Sequence, residues 1–102
     1  MVQNLTKDNF QEALDADLSL VTFSASWCGP CRMQAPVLEE LSREKGDVQF
    51  FRVDVDEERE LATHFKVMSI PALFIIKDGK IVQNLMGYND KNALENALAQ
   101  YE

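Results

Sequence analysis

Basic side chains are scarce in this chain: 10 Lys and Arg stand against 17 Asp and Glu, for a formal net charge of -7 at pH 7. Phosphate backbones and anionic lipid are held by clustered Lys and Arg, so nucleic acid and membrane surfaces are excluded as expected partners. No apolar run approaches the length that crosses a bilayer. The opening residues, Met1-Val2-Gln3-Asn4-Leu5-Thr6, lack a basic segment followed by an apolar core and a small-residue cleavage site, so no secretory signal is read and a cytoplasmic location is expected. Repeats, low-complexity tracts, linkers and glycine-rich nucleotide fingerprints are all missing. Histidine occurs once, as His64, and cysteine twice, as Cys28 and Cys31. A zinc site takes about four ligands. With one histidine and two cysteines, it would have to draw on carboxylates, and no metal is expected.

What is present suits one compact domain. The 102 residues, 46% apolar and 26% charged, are enough to bury a core without staples, so residues 1–102 are read as a single domain. Asp8 with Gln11 reads as a capping box before a short helix ending near Asp15. Leu18 to Phe23 is a short, β-branched apolar run without helical period, and so a buried strand. Met33, Val37, Leu38 and Leu41 share a helical face, which predicts a helix from Arg32 to about Lys45 kinked by Pro36. Val48 to Val55 reads as a second strand, central in the sheet, and Leu61, Ala62 and Phe65 as a shorter helix. Ala72–Ile76 and Ile81–Met86 flank Lys77-Asp78-Gly79-Lys80, a strong hairpin signal. Leu94, Ala97, Leu98 and Tyr101 form the stripe of a closing helix capped by Asn89 or Asp90. The order after the first helix is βαβαββα, an α/β pattern.

Trp27-Cys28-Gly29-Pro30-Cys31 falls where the first strand ends and the second helix begins. Unpaired N–H groups and the macrodipole favour an anion at a helix start, so the Cys28 thiol should ionise readily. Gly29 relieves crowding, Pro30 suits a first helical position, and Cys31, one turn on, points back towards Cys28. Both sulfurs can meet as a disulfide or as attacker and target. Three blander readings compete: a metal site short of ligands, a structural disulfide, and two inert buried thiols. A bridge spanning two residues constrains the unfolded chain little, and the Gly-Pro insert at a strand–helix junction favours a reactive pair.

From the first helix through Trp27-Cys28-Gly29-Pro30-Cys31, Pro36, Ile70-Pro71, the Asp78-Gly79 hairpin and Gly87, the chain resembles the thioredoxin family. The resemblance implies a thioredoxin fold, a central mixed sheet of four to five strands with helices on both faces. It also implies a thiol–disulfide oxidoreductase that reduces disulfides in protein substrates through a mixed-disulfide intermediate. In that scheme Cys28 attacks, Cys31 resolves, and the Cys28–Cys31 pair is a redox-active disulfide with no bound cofactor. Turnover then needs a partner, expected to be an NADPH-dependent flavoprotein, thioredoxin reductase, and the chain is expected to act as a monomer.

Substrate-binding positions follow from the same resemblance. Pro71 reads locally as a residue that sets up the strand behind it; the family adds a cis peptide facing the dithiol that leaves Ile70 free to pair with an extended substrate. A lone tryptophan is more often core than contact, yet Trp27 beside Cys28 resembles the family's rim. Gly29, Pro30, Ile70, Met86 and Gly87 complete a shallow apolar patch. The chain departs from the pattern at Thr22, where the family carries a buried Asp, at Arg52 for a Lys, at Ser24 for an aromatic and at Ala72 for a Thr. Thr22 and Arg52 are therefore modulating positions, since a hydroxyl is no carboxylate base near neutral pH. His64 reads as a solvated or capping residue. The competing function is a protein-interaction module with little redox turnover, which the intact dithiol opposes.

Overall fold

The computed structural model describes residues 1–102. Four helices and five strands follow in the order β1 (Val2–Asn4), α1 (Gln11–Asp15), β2 (Leu18–Ser24), α2 (Gly29–Glu44), β3 (Gln49–Asp54), α3 (Arg59–His64), β4 (Ala72–Lys77), β5 (Lys80–Met86) and α4 (Lys91–Ala99). The sheet order is β1-β3-β2-β4-β5. β1 and β2 run parallel to β3, whereas β4 is antiparallel to both β2 and β5, so the sheet is mixed. The expected central strand is corrected here. β3 lies inside the sheet, but the middle place belongs to β2, which pairs with β3 on one side and β4 on the other.

Side chains alternate across β2. Val21 and Phe23 join Ala13 of α1, Leu61 of α3 and Phe65 on one face, while Leu18 and Leu20 join Leu38 and Leu41 of α2 and Leu94 and Leu98 of α4 on the other. Helices therefore cover both faces, and β2 and β4 are buried on both sides as a near-continuous apolar run requires, whereas β3 leaves Gln49 and Arg52 exposed. Buried Ser19 avoids an orphan hydroxyl by donating from Oγ to the Ala13 carbonyl at 2.9 Å. At the hairpin, Asp78 (φ 52) and Gly79 (φ 80) both take left-handed conformations, the geometry that an Asp-Gly pair accommodates between twisted strands. Asp90 caps α4, its Oδ1 accepting the Ala93 N–H at 2.8 Å.

Two helix expectations need correction. The Asp8–Gln11 capping box does not form; Asn9 Oδ1 instead accepts the Thr6 N–H at 2.7 Å, and α1 begins after Phe10 without a side-chain cap. α2 starts at Gly29, three residues earlier than its apolar stripe suggests, which puts Pro30 second rather than first in the helix. Met33 is 60% exposed, and the buried stripe of α2 is Cys31, Gln34, Leu38 and Leu41. A polar residue occupies a core position, so counting apolar side chains selected the wrong neighbour. β1 went unread because its 3 residues are too few to show a period.

Candidate active site

Where β2 ends, the chain turns through Ala25, Ser26 and Trp27 and enters α2 at Cys28, whose extended backbone (φ -91, ψ 114) makes it the N-cap. A cap accepts a hydrogen bond from the first turn, and here a sulfur does so: the Cys31 N–H donates to Cys28 Sγ at 3.3 Å. Cys28 and Cys31 are joined as a disulfide, with Cα atoms 5.3 Å apart. Ala25, Val55 and Ile70 pack around the pair. The spacing at the helix start predicts an accessible Cys28 and a Cys31 one turn inside. In the bridged state the two are covered alike, at 5% and 6% exposure, with Ala25, Val55 and Ile70 packed against them. What separates them is position, cap against helix interior.

Ile70–Pro71 is a cis peptide. The Ile70 carbonyl oxygen lies 3.9 Å from Cys28 Sγ. Pro71 O accepts the Gly87 N–H at 2.8 Å, whereas Ile70 makes no backbone hydrogen bond of its own. Gly87 takes φ 75 and brings the end of β5 beside this segment, where Met86 pairs with Ala72. Trp27, 65% exposed, is at the surface, and its indole Nε1 donates to Asp56 Oδ2 at 2.8 Å. Met86 is exposed too, and Gly29 and Pro30 stand uncovered in the first turn of α2. Asp56 was not singled out from the sequence, since it lies 29 residues from its partner.

Beneath the dithiol, Thr22 is 3% exposed and pairs across the sheet with Arg52 of β3 and Leu73 of β4. Its Oγ1 is the one buried side-chain polar atom without a protein partner. It faces a cavity of about 30 Å³ that Cys31, Gln34, Glu39 and Arg52 also line. That is room for a water molecule among polar groups. The Arg52 guanidinium reaches outward to Asn4 Oδ1 at 3.0 Å. A wider polar cleft of about 450 Å³ runs past Cys31 between Ser26, Arg32 and Glu57. His64 ends α3 against the rings of Phe10 and Phe65, outside the walls of the dithiol. No group of three His, Cys, Asp or Glu side chains converges as a metal site. No helix is long and apolar enough to cross a membrane.

A Thioredoxin family model matches residues 1–100. The chain belongs to the thioredoxin family. It is 44% identical over 102 residues to a thioredoxin of Listeria monocytogenes, covering 99% of each chain. A Bacillus subtilis thioredoxin is 45% identical over 91 residues, or 88% of each. Among solved structures, a Fasciola hepatica thioredoxin superposes with a TM-score of 0.90 at 34% identity, covering 99% of this chain and all of that one. Like these thioredoxins, the chain is a thiol–disulfide oxidoreductase, a protein-disulfide reductase with a redox-active cysteine pair. The reading as an interaction module without turnover is not favoured, because both cysteines are present and bridged.

Gln34 escaped the sequence reading altogether. The signal that finds it is the helical period counted from Cys31: three residues on, it falls on the same buried face.

Proposed function

We propose that Cys28 is the attacking sulfur, Cys31 the resolving one, and that an extended substrate segment lies along Ile70 and Gly87 within reach of both. The observation that carries this is Cys28 Sγ at the α2 cap, receiving the Cys31 N–H and lying 3.9 Å from the Ile70 carbonyl. In the reduced protein the same N–H and helix start stabilise a Cys28 thiolate, whereas Cys31 is already inside the helix. The thiolate attacks one substrate sulfur, forming a Cys28–substrate disulfide and releasing the other sulfur as thiolate. Cys31, deprotonated, then attacks the Cys28 sulfur, and the second substrate sulfur leaves with the electron pair. Two electrons pass to substrate, and the Cys28–Cys31 disulfide remains.

Ile70, with no backbone partner of its own, offers N–H and C=O groups to a substrate strand, the logic of β-augmentation. Trp27, Gly29, Pro30, Met86 and Gly87 form the shallow surface around it, with Pro71 buried behind them, apolar enough for varied protein substrates. Thr22 and Arg52 modulate the resolving step. The threonine hydroxyl cannot take the Cys31 proton near neutral pH, so water or the released substrate thiolate takes it. Electrons return from thioredoxin reductase, an NADPH-dependent flavoprotein, and the protein works in the cytoplasm as a monomer.

The test is reduction of insulin disulfides, driven first by dithiothreitol and then by NADPH with thioredoxin reductase. Acceleration over reductant alone in both arms is expected, with loss of both on Cys28→Ser. A chain that fails to accelerate either would overturn the assigned roles.

A further inference from the structure

Gln34 is the largest polar side chain in the core, 1% exposed on α2 one turn beyond Cys31. A buried amide is costly unless its groups are bonded. Both ends of this one go to a single residue: Nε2 donates to the Asn89 carbonyl at 2.9 Å, and Oε1 accepts the Asn89 N–H at 2.8 Å. Such a pair imitates one rung of an antiparallel ladder and fixes rotation as well as distance. Asn89 in turn donates from Nδ2 to the Gly87 carbonyl at 3.0 Å, and the Gly87 N–H donates to Pro71 O at 2.8 Å. Ile70, next to Pro71, presents its carbonyl to Cys28 Sγ. The contacts close a ring that leaves α2 at Gln34, crosses residues 87–89 and 70–71, and returns to the cap of the same helix.

An apolar side chain of similar volume would fill the space under α2 without any need for partners. The amide does something more, which is to tie the dithiol helix to the loop after β5. We infer that Gln34 is a positioning residue for protein substrates. It holds the Ile70/Gly87 wall at the separation from Cys28 that an extended segment needs. The inference rests on the substrate placement proposed above. A protein substrate spans both walls, whereas a small aryl disulfide needs only the Cys28 sulfur, so the two should respond differently to the loss of Gln34.

The experiment compares steady-state reduction of insulin with the rate on a small aryl disulfide for the native chain, Gln34→Met and Gln34→Glu, with melting curves to show that each is folded. Gln34→Met keeps the volume and removes both bonds. It should raise KM for insulin about three- to tenfold, the factor matching roughly one net hydrogen bond, with kcat and the aryl rate little changed. A protonated Glu at this position donates one bond and accepts the other, and burial favours that neutral form. Gln34→Glu should therefore approach native insulin KM at mildly acid pH and lose it towards neutral, while Gln34→Met shows no such recovery. Glu39 and Arg52, with the Cys31 thiol of the reduced protein, around the same cavity and Asp90 beside Asn89 are the other charged or titratable groups concerned. Taking the ratio to the aryl rate cancels the titration of Cys28.

Met86→Glu separates the two levels. If it leaves insulin KM unchanged, the substrate placement itself fails. If Met86→Glu weakens insulin reduction but a folded Gln34→Met does not, or if Gln34→Met slows both substrates equally, Gln34 does not position substrate.

Discussion

The backbone N–H of Cys31 donates to the sulfur of Cys28 across 3.3 Å, so the first turn of α2 is capped by a sulfur where most helices use an oxygen. One sulfur thus accepts from the helix start and the other belongs to the helix itself. Two residues of the same type stand in different surroundings, because only one is the cap at the end of the dipole.

Cys28→Ser should abolish attack on substrate disulfides. Cys31→Ser should still attack and accumulate covalent mixed disulfides that dithiothreitol releases. Intact-mass spectrometry after incubation with an oxidised protein reads the difference directly, and trapping by Cys28→Ser alone would reverse the roles.

Thr22→Asp places a carboxylate in the cavity beside Cys31, with Arg52 across the strand pair as partial partner. Desolvation should raise its pKa and lower stability at pH 7 by on the order of 1–3 kcal/mol. A raised folded-state pKa means that the native protein binds this proton more tightly than the unfolded chain. The penalty is therefore complete above the raised value, shrinks as pH falls, and is gone below the ordinary carboxylate value of about 3.9. The same carboxylate should speed resolution of the mixed disulfide by accepting the Cys31 proton. Denaturation midpoints and single-turnover release rates across pH test both halves; equal stability at pH 7 with no faster release would contradict them.

Gly87 has φ 75 with nothing within 4 Å of where a Cβ would stand, so backbone conformation alone decides a substitution there. Gly87→Ala should cost about 1–2 kcal/mol from the left-handed conformation. Urea unfolding measures it. A loss near zero would mean that the loop relaxes to negative φ; the Gly87 N–H bond to Pro71 O should then weaken and that amide lose protection from hydrogen exchange.

Lys45 bonds to Glu102 at 3.0 Å, and Lys91 bonds to Glu44 at 2.8 Å with Glu40 at 3.3 Å. The hydrogen bond to Glu102, chiefly, holds Lys45 above its ordinary 10.5, and that to Glu44, with Glu40, does the same for Lys91. Groups with raised folded-state pKa contribute stability that is fully present below the unfolded value and is lost as pH rises through the folded one. Exposure and salt keep each contribution small. The melting-temperature gap between the native chain and the Lys45→Met/Lys91→Met double variant should be constant from neutral pH up to about 10.5 and close above it. A gap independent of pH on both sides would assign the effect to packing of the lysine stems.

Local chemistry made much of this protein legible from sequence alone. The β4–β5 hairpin follows from Asp78-Gly79 between two β-rich runs, since left-handed φ at successive residues is a property of those residues. β2 follows from an apolar run without helical period, and the dithiol's place from a strand that ends where a helix starts. Tertiary structure decided the rest. It put Gln34 rather than Met33 in the core, because Asn89, 55 residues away, supplies both partners that make a buried amide tolerable. It left the Thr22 hydroxyl facing a small cavity, brought Asp56 to the Trp27 indole, and gave the middle of the sheet to β2. Periodicity reports which face of an element is apolar, but a polar side chain's partner, or lack of one, exists only once distant segments pack together.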